Sequence, residues 1–216
     1  MVDTAANTTT PEYLATQRPV QRFPSSEIAL CMAKDFLSRD ECAALIMRID
    51  EKRRPSTIAD PNGDPYFRTS ESCDLDHDDP IVGMINDRIC AFAGIDSAYG
   101  EPLQGQRYAE GQEFKAHTDY FNPDGADYAK YCTESGQRTW TFMAYLNEPA
   151  AGGATRFVEI GKLIKPRTGM LLCWNNRTVD GDINYKTLHH GMKVRKGTKY
   201  VITKWFRERP WAFPPA

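Results

Sequence analysis

The stretch Glu113-Phe114-Lys115-Ala116-His117-Thr118-Asp119-Tyr120 holds an imidazole and a carboxylate two residues apart. In an extended strand, residues i and i+2 point to the same face. His117 and Asp119 would then sit side by side and aim the same way. A neutral imidazole with a hard oxygen suits Fe(II) better than an all-thiolate set would. Two His and one carboxylate on one face leave coordination positions open, as in non-haem Fe(II) centres. A lone His-x-Asp can equally be a hydrogen-bonded strand histidine beside a surface acid, so the metal reading needs a second histidine. Leu188-His189-His190-Gly191 supplies one, 70 residues beyond Asp119. Adjacent strand residues face opposite ways, so only one of His189 and His190 can join the pair. Lys199 and Trp205 follow, in Gly197-Thr198-Lys199-Tyr200 and Lys204-Trp205-Phe206.

Strands must carry these residues, and the chain after Gly100 is patterned for them. Short strands are predicted near 103–108, 113–118, 139–146, 154–157, 163–165, 170–174, 189–194 and 200–206. Gly111, Gly152-Gly153, Pro166 to Gly169 and Lys196-Gly197 separate them. About eight short strands with even turn spacing predict a double-sheet jelly roll, that is, a double-stranded β-helix. Upstream, residues 1–24 are polar and weakly periodic, and are expected to form a flexible arm. Residues 27–36 read as a strand. Ser38 and Glu41 form a capping box, followed by Cys42, Leu45, Ile46 and Ile49 at helical spacing. Asp79-Pro80 starts a second helix, with Ile81, Met84, Ile85, Ile89 and Phe92 on one face and Gly94 as its stop. The expectation is a mainly β fold with flanking helices (α+β), both helices packed on one sheet. Two loops, 59–67 and 120–137, are long and turn-rich enough to be lids.

Bulk properties narrow the function classes. With 27 basic and 29 acidic residues the net charge is −2, which demands neither nucleic acid nor an anionic membrane. The six cysteines, at 31, 42, 73, 90, 132 and 173, form no C-x-x-C clip and are read as reduced thiols of a cytoplasmic protein. Met1 to Thr10 lacks the basic and apolar regions of a signal peptide, and no apolar run reaches membrane-span length. The 216 residues suit one domain, placed at 25–216 with its metal-binding core at about 101–207. Asp74, Asp76, Asp78 and Asp79 lack the Gly and terminal Glu of a calcium loop, and are read as a solvated turn with a helix cap. His77 is expected to be exposed, and Lys193, Lys196 and Lys204 to be solvated.

Several motifs in order resemble the prolyl 4-hydroxylase family of Fe(II)/2-oxoglutarate dioxygenases, of the bacterial single-domain type. They are Arg68-Thr69-Ser70, Glu101-Pro102-Leu103-Gln104, Arg107-Tyr108, Gly111-Gln112, His117-x-Asp119-Tyr120 and Arg138-Thr139. Tyr145-Leu146-Asn147, Gly152-Gly153-x-Thr155-x-Phe157, His189-x-Gly191 and Gly197-x-Lys199 with Trp205 complete the set. The resemblance implies His117, Asp119 and His189 as iron ligands, with His190 in a supporting place. It implies Lys199, Tyr108 and Thr155 as partners of the distal carboxylate of 2-oxoglutarate, with Trp205 lining that pocket. Arg68, Glu101 and Arg138 fall near peptide-contacting positions. Two residues depart from the family pattern: Val158 stands where Pro is common, and Phe114 where a Tyr hydroxyl often lies near the substrate.

What the resemblance implies is hydroxylation of a prolyl residue in a protein or peptide, with release of succinate and carbon dioxide. The cofactors implied are Fe(II), 2-oxoglutarate and dioxygen, with ascorbate as reductant. A free amino acid or other small molecule is the alternative substrate. A catalytically silent jelly-roll sensor that binds metal or ligand without turnover is the alternative from another class.

Overall fold

The computed structural model describes residues 9–17, 20–56, 66–125, 128–178 and 180–212. In chain order its elements are α1 (Pro11–Thr16), β1 (Val20–Arg22), β2 (Leu30–Ala33), α2 (Arg39–Lys52), β3 (Arg54–Pro55), β4 (Glu71–Asp74) and α3 (Pro80–Ala93). There follow β5 (Gln104–Tyr108), β6 (Phe114–His117), α4 (Tyr128–Cys132), β7 (Arg138–Tyr145), β8 (Ala151–Gly152), β9 (Thr155–Phe157) and β10 (Lys162–Ile164). The last are β11 (Leu171–Asn175), β12 (His189–Gly191), β13 (Val194–Lys196) and β14 (Lys199–Arg207).

Local chemistry sets both long helices. Ser38 Oγ accepts from the Glu41 amide at 3.2 Å, and Glu41 Oε2 accepts from the Ser38 amide at 2.8 Å. This reciprocal box satisfies two of the free N–H groups at the start of α2. Cys42, Leu45 and Ile49 are its buried face. Asp79 caps α3, accepting from Ile81 N at 3.0 Å, and Gly94 ends it at φ 68°, a left-handed conformation glycine adopts without cost. The buried face of α3 is Val82, Ile85, Asn86, Ile89, Cys90 and Ala93. It is rotated from the predicted face: Met84 is exposed and Val82 buried.

The strands form an eight-stranded sheet, β1-β2-β11-β7-β14-β5-β4-β3, a four-stranded sheet, β10-β9-β12-β6, and a two-stranded ribbon, β13-β8. The pairings are antiparallel. Alternation divides the core in two. Phe142, Ala144, Leu171, Cys173, Ile202 and Phe206 face the helices and pack with Leu45, Ile49, Ile85 and Ile89. Met143, Tyr145, Leu172, Trp174 and Val201 face the smaller sheet and pack with Phe157 and Ile164. Gly105 lets α2 approach β5 closely, since a Cβ there would lie 2.4 Å from Ile49. The predicted jelly roll, with two helices on one sheet, is the observed architecture.

The structure corrects the finer expectations. The segment 1–24 is not a plain arm where it is described: α1 buries Leu14 completely and β1 pairs with β2. Six residues were too short a window for periodicity to reveal that helix. The predicted strand 189–194 is two strands, because β12 pairs within the small sheet and β13 with β8. β1, β3 and β4 extend the large sheet beyond the predicted set. Lys204 is buried rather than solvated, and its Nζ donates to Glu101 O at 2.5 Å. It lies on a strand covered on both faces, where alternation sends it under α3. Asp79 caps a helix and His77 is exposed, as expected, but Asp74 lies on β4 and pairs with Arg54 at 3.2 Å. Of the predicted loops, residues 59–65 and 126–127 lie outside the described residues.

Candidate metal centre and its cavity

Register brings the two candidate histidines together. His189 on β12 pairs directly with His117 on β6, and their ring centroids are 4.2 Å apart. The next pair in this ladder is Gly191 with Phe114, so β6 has one extra residue there. A bulge of this kind re-aims side chains. It turns Phe114 and His117, three apart, to one side, and their rings stack at 3.5 Å with 14° between planes. Arg68 lies over the Phe114 ring at 4.8 Å. Asp119 falls two residues past the end of β6 rather than on the strand, yet its carboxylate still converges. Oδ1 is 3.9 Å from His117 Nε2, and Oδ2 is 3.9 Å from His189 Nε2. One donor atom from each of the three lies within 4.8 Å of the others.

Backbone and neighbours orient all three. His117 Nδ1 lies 2.7 Å from Lys115 O, and His189 Nδ1 lies 2.9 Å from Thr187 O. A carbonyl only accepts, so each Nδ1 carries the proton and each Nε2 lone pair faces the cluster. Burial, and then His189, hold the His117 pKa well below 6.5, which keeps that imidazole neutral. Asn176 Nδ2 donates to Thr141 Oγ1 at 2.9 Å, and Thr141 Oγ1 donates to Asp119 Oδ2 at 2.7 Å. Asn176 and Thr141 are fully buried, so nothing competes for this chain. Hydrogen bonds behind metal ligands fix ligand orientation in this way. His190 faces away from the cluster: its Nε2 meets Glu113 Oε2 at 2.9 Å.

The cluster opens into a cavity of about 850 Å³. Inner-face parity on β14 sends Lys199, Thr203 and Trp205 into it, and β5 and β9 add Tyr108 and Thr155. Lys199 is 2% exposed and pairs in register with Tyr108. Its Nζ lies 5.0 Å from the Tyr108 ring and 5.5 Å from the Tyr145 ring, and among the described residues it has no hydrogen-bond acceptor or counter-ion. Burial pushes its pKa down to about 7. A buried ammonium without a partner is costly, and an incoming carboxylate would relieve that cost. Tyr108 OH donates to Gln106 Oε1 at 2.8 Å, and Tyr145 OH to Thr155 Oγ1 at 2.6 Å.

Arg138 and Glu101 line the cavity as a bidentate pair at 2.6 and 2.7 Å. Arg207 Nη1 adds a third bond to Glu101 at 2.9 Å. Burial raises the Glu101 pKa, but the two guanidiniums more than offset that and hold it below its ordinary value. Arg138 also stacks on Trp205 at 3.9 Å. Arg68 donates to Ser70 at 3.1 Å and to Gln104 at 3.2 Å on the same wall. Glu101, with two guanidiniums, has little capacity left for a ligand. Every sequence-predicted site residue therefore lines this one cavity. Thr141, Asn176, Tyr145, Trp174 and Arg207 were missed. Inner-face parity along β7 and β11 would have flagged Thr141, Tyr145 and Trp174. Arg207 continues the inner-face parity of Lys199, Thr203 and Trp205 on β14 and could have been flagged in the same way, whereas Asn176, just past the end of β11, carries no signal of this kind.

Residues 103–207 match the family described as the 2OG-Fe(II) oxygenase superfamily. Prolyl 4-hydroxylase subunit alpha-1 of Homo sapiens is 34% identical over 184 residues, covering 83% of this chain and 34% of that protein. The chain thus spans about a third of the length of the curated relatives it matches first. Probable prolyl 4-hydroxylase 9 of Arabidopsis thaliana is 29% identical over 198 residues, 81% of this chain and 67% of its own length. Among solved structures, the 2OG complex of the viral collagen prolyl hydroxylase vCPH from Paramecium Bursaria Chlorella virus-1 superposes with a TM-score of 0.67 at 27% identity. It covers 82% of this chain and 95% of that one.

Proposed function

The chain belongs to the 2OG-Fe(II) oxygenase superfamily, and we propose that it is a dioxygenase that hydroxylates a prolyl residue in a protein or peptide. One observation carries the reading: the His117–Asp119–His189 cluster shares a cavity with a buried Lys199 that has no counter-ion among the described residues. Two imidazoles and one carboxylate fit Fe(II) with positions left open. An ammonium in a dry recess fits one end of a dicarboxylate.

In this reading His117 Nε2, His189 Nε2 and Asp119 hold the iron. Thr141 donates to Asp119 Oδ2, and so directs the carboxylate. Lys199 forms a charge-assisted bond with the distal carboxylate of 2-oxoglutarate, and Tyr108 and Thr155 hydrogen-bond the same group. Trp205, Trp174 and Met143 wall the recess and exclude water. Arg138 is held flat on Trp205 by Glu101 and presents its guanidinium edge to the substrate, with Arg68 on the same wall. When bound, Fe(II) with 2-oxoglutarate and dioxygen supplies the oxidative step, leaving succinate, carbon dioxide and a hydroxylated product. Ascorbate serves as reductant. A cytoplasmic location fits the six free, buried cysteines; among the described residues, no helix is long and apolar enough to cross a membrane.

The test is succinate release with Fe(II), 2-oxoglutarate and a proline-rich peptide, set against free proline. Peptide-dependent succinate that disappears in His189→Ala supports the proposal. Succinate stimulated only by free amino acids would move the substrate to the small-molecule class. Metal binding without any succinate would favour the silent sensor.

A further inference from the structure

Beyond the metal cavity lies a second one, of about 550 Å³, lined by residues including Pro123, Gln137, Asp182 and Ile183. Tyr128 and Tyr185 line both cavities, so the two are contiguous across these side chains. Ligand cavities of about 300–1,000 Å³ hold whole drug-sized molecules. The first cavity alone therefore has room for a cosubstrate and one target residue, and the second is surplus to a free amino acid.

Tyr185 is 67% exposed yet rigidly mounted. Asn184 beside it is buried, donates to Glu27 O at 3.0 Å and accepts from Lys186 N at 3.1 Å. Thr187 Oγ1 donates to Asn184 O at 2.7 Å, and Thr187 O anchors His189. The Tyr185 ring meets Tyr120 edge-on at 5.8 Å. A large aromatic held in water by a rigid base is the form that binding anchors take, because little entropy is lost when a partner covers it. The lining charges of the second cavity are unbalanced. Arg177 and Glu208 pair with each other. The exposed Asp182 has no counter-ion among the described residues.

Resting on the dioxygenase reading above, we propose that this second cavity is a subsite for residues flanking the target proline of an extended polypeptide. Tyr185 is its anchor, and Asp182 sets a preference for basic over acidic flanking side chains. The cavity thus assigns the substrate to polypeptides rather than free amino acids.

The experiment uses fluorescein-labelled peptides with one proline flanked on both sides by lysines or by glutamates. Binding to the full chain loaded with Mn(II) and 2-oxoglutarate is read by anisotropy, and hydroxylation of the same peptides with Fe(II) by mass. The lysine peptide is expected to bind about tenfold more tightly than the glutamate peptide. Asp182→Lys should reverse that order. Tyr185→Ala should weaken the long lysine peptide about tenfold and a proline tripeptide little, with Tyr185→Phe restoring binding. Met47→Ala, at an exposed position on α2, is the control. Hydroxylation that proceeds with no Lys/Glu preference, and equally in Tyr185→Ala, would overturn the subsite and leave the dioxygenase standing. Tyr185-dependent binding without hydroxylation would keep the subsite and overturn the activity. Binding unaffected by either substitution removes the subsite outright.

Discussion

Lys199 carries the sharpest consequences at the scale of single residues. Its pKa is pushed to about 7 by burial, and a bound carboxylate must raise it again. Above pH 7 the ligand-free lysine is mostly neutral, so binding takes up a proton. The 2-oxoglutarate Kd should therefore rise by up to about tenfold per pH unit from pH 7 upward. Titration calorimetry between pH 6.5 and 8.5 reads this. Lys199→Arg, which stays charged, should give a flatter profile. A flat wild-type profile would separate Lys199 from the cosubstrate. In the ligand-free protein the folded state binds fewer protons than the unfolded state between pH 7 and 10.5, so stability rises with pH in that window. Lys199→Met should raise the Tm of the ligand-free protein near pH 7 while abolishing 2-oxoglutarate binding. Thr141→Val keeps the volume but removes the hydrogen bond to Asp119 Oδ2. It should weaken Mn(II) binding by about 10–100-fold, and Thr141→Ser should recover most of that. His117 and Asp119 stood out by type and spacing, whereas His189 over His190, and Lys199, were singled out by the family resemblance. Thr141 and Asn176 are common residue types, and only register shows what they touch.

At the scale of elements, the capping box of α2 and the Asp79–Gly94 limits of α3 were legible because caps are local. The bulge in β6 was not, because it exists only as a mismatch with β12. The predicted lid 120–137 is tied along its second half. Gln137 exchanges bonds of 2.9 and 2.8 Å with Phe121. Arg209 donates to Cys132 O, Thr133 O and Glu134 O at the end of α4 and just past it, at 2.9, 2.7 and 2.6 Å. Arg207 donates to Tyr131 O. Residues 128–137 should therefore resist limited proteolysis with or without substrate. Arg209→Ala should expose them to cutting and lower peptide affinity. Cleavage of the wild type within 128–137 would contradict the tie.

Taken whole, the molecule is a double-sheet scaffold with its two long helices, α2 and α3, on one face and the site on the other. The jelly roll was readable from turn spacing. The strands β1, β3 and β4 near the two ends of the large sheet were not, since strands this short carry weak patterns. In the proposed reading, metal and cosubstrate would contact both sheets, through His117 and His189 on the small one and Lys199 on the large one. Binding should therefore stabilise the fold globally. Each ligand at about 100 times its Kd contributes about 2.7 kcal/mol, or roughly 5–10 °C in Tm for a chain of this size. Scanning calorimetry with Mn(II) and 2-oxoglutarate should show it, and His189→Ala should not. His117 adds a pH effect in the metal-free protein. Its folded pKa lies well below 6.5, so the unfolded chain binds the extra proton, and stability should fall as pH drops below about 6.5.

The most direct test of the central claim is a coupled mass measurement. The protein is incubated with Fe(II), 2-oxoglutarate, ascorbate and a proline-rich peptide, and succinate and hydroxylated peptide are counted together. The expected result is one succinate per added oxygen, with that oxygen located on proline and both products lost in His117→Ala and Lys199→Ala. Succinate without peptide oxidation, oxidation at a residue other than proline, or full turnover in Lys199→Ala would contradict it.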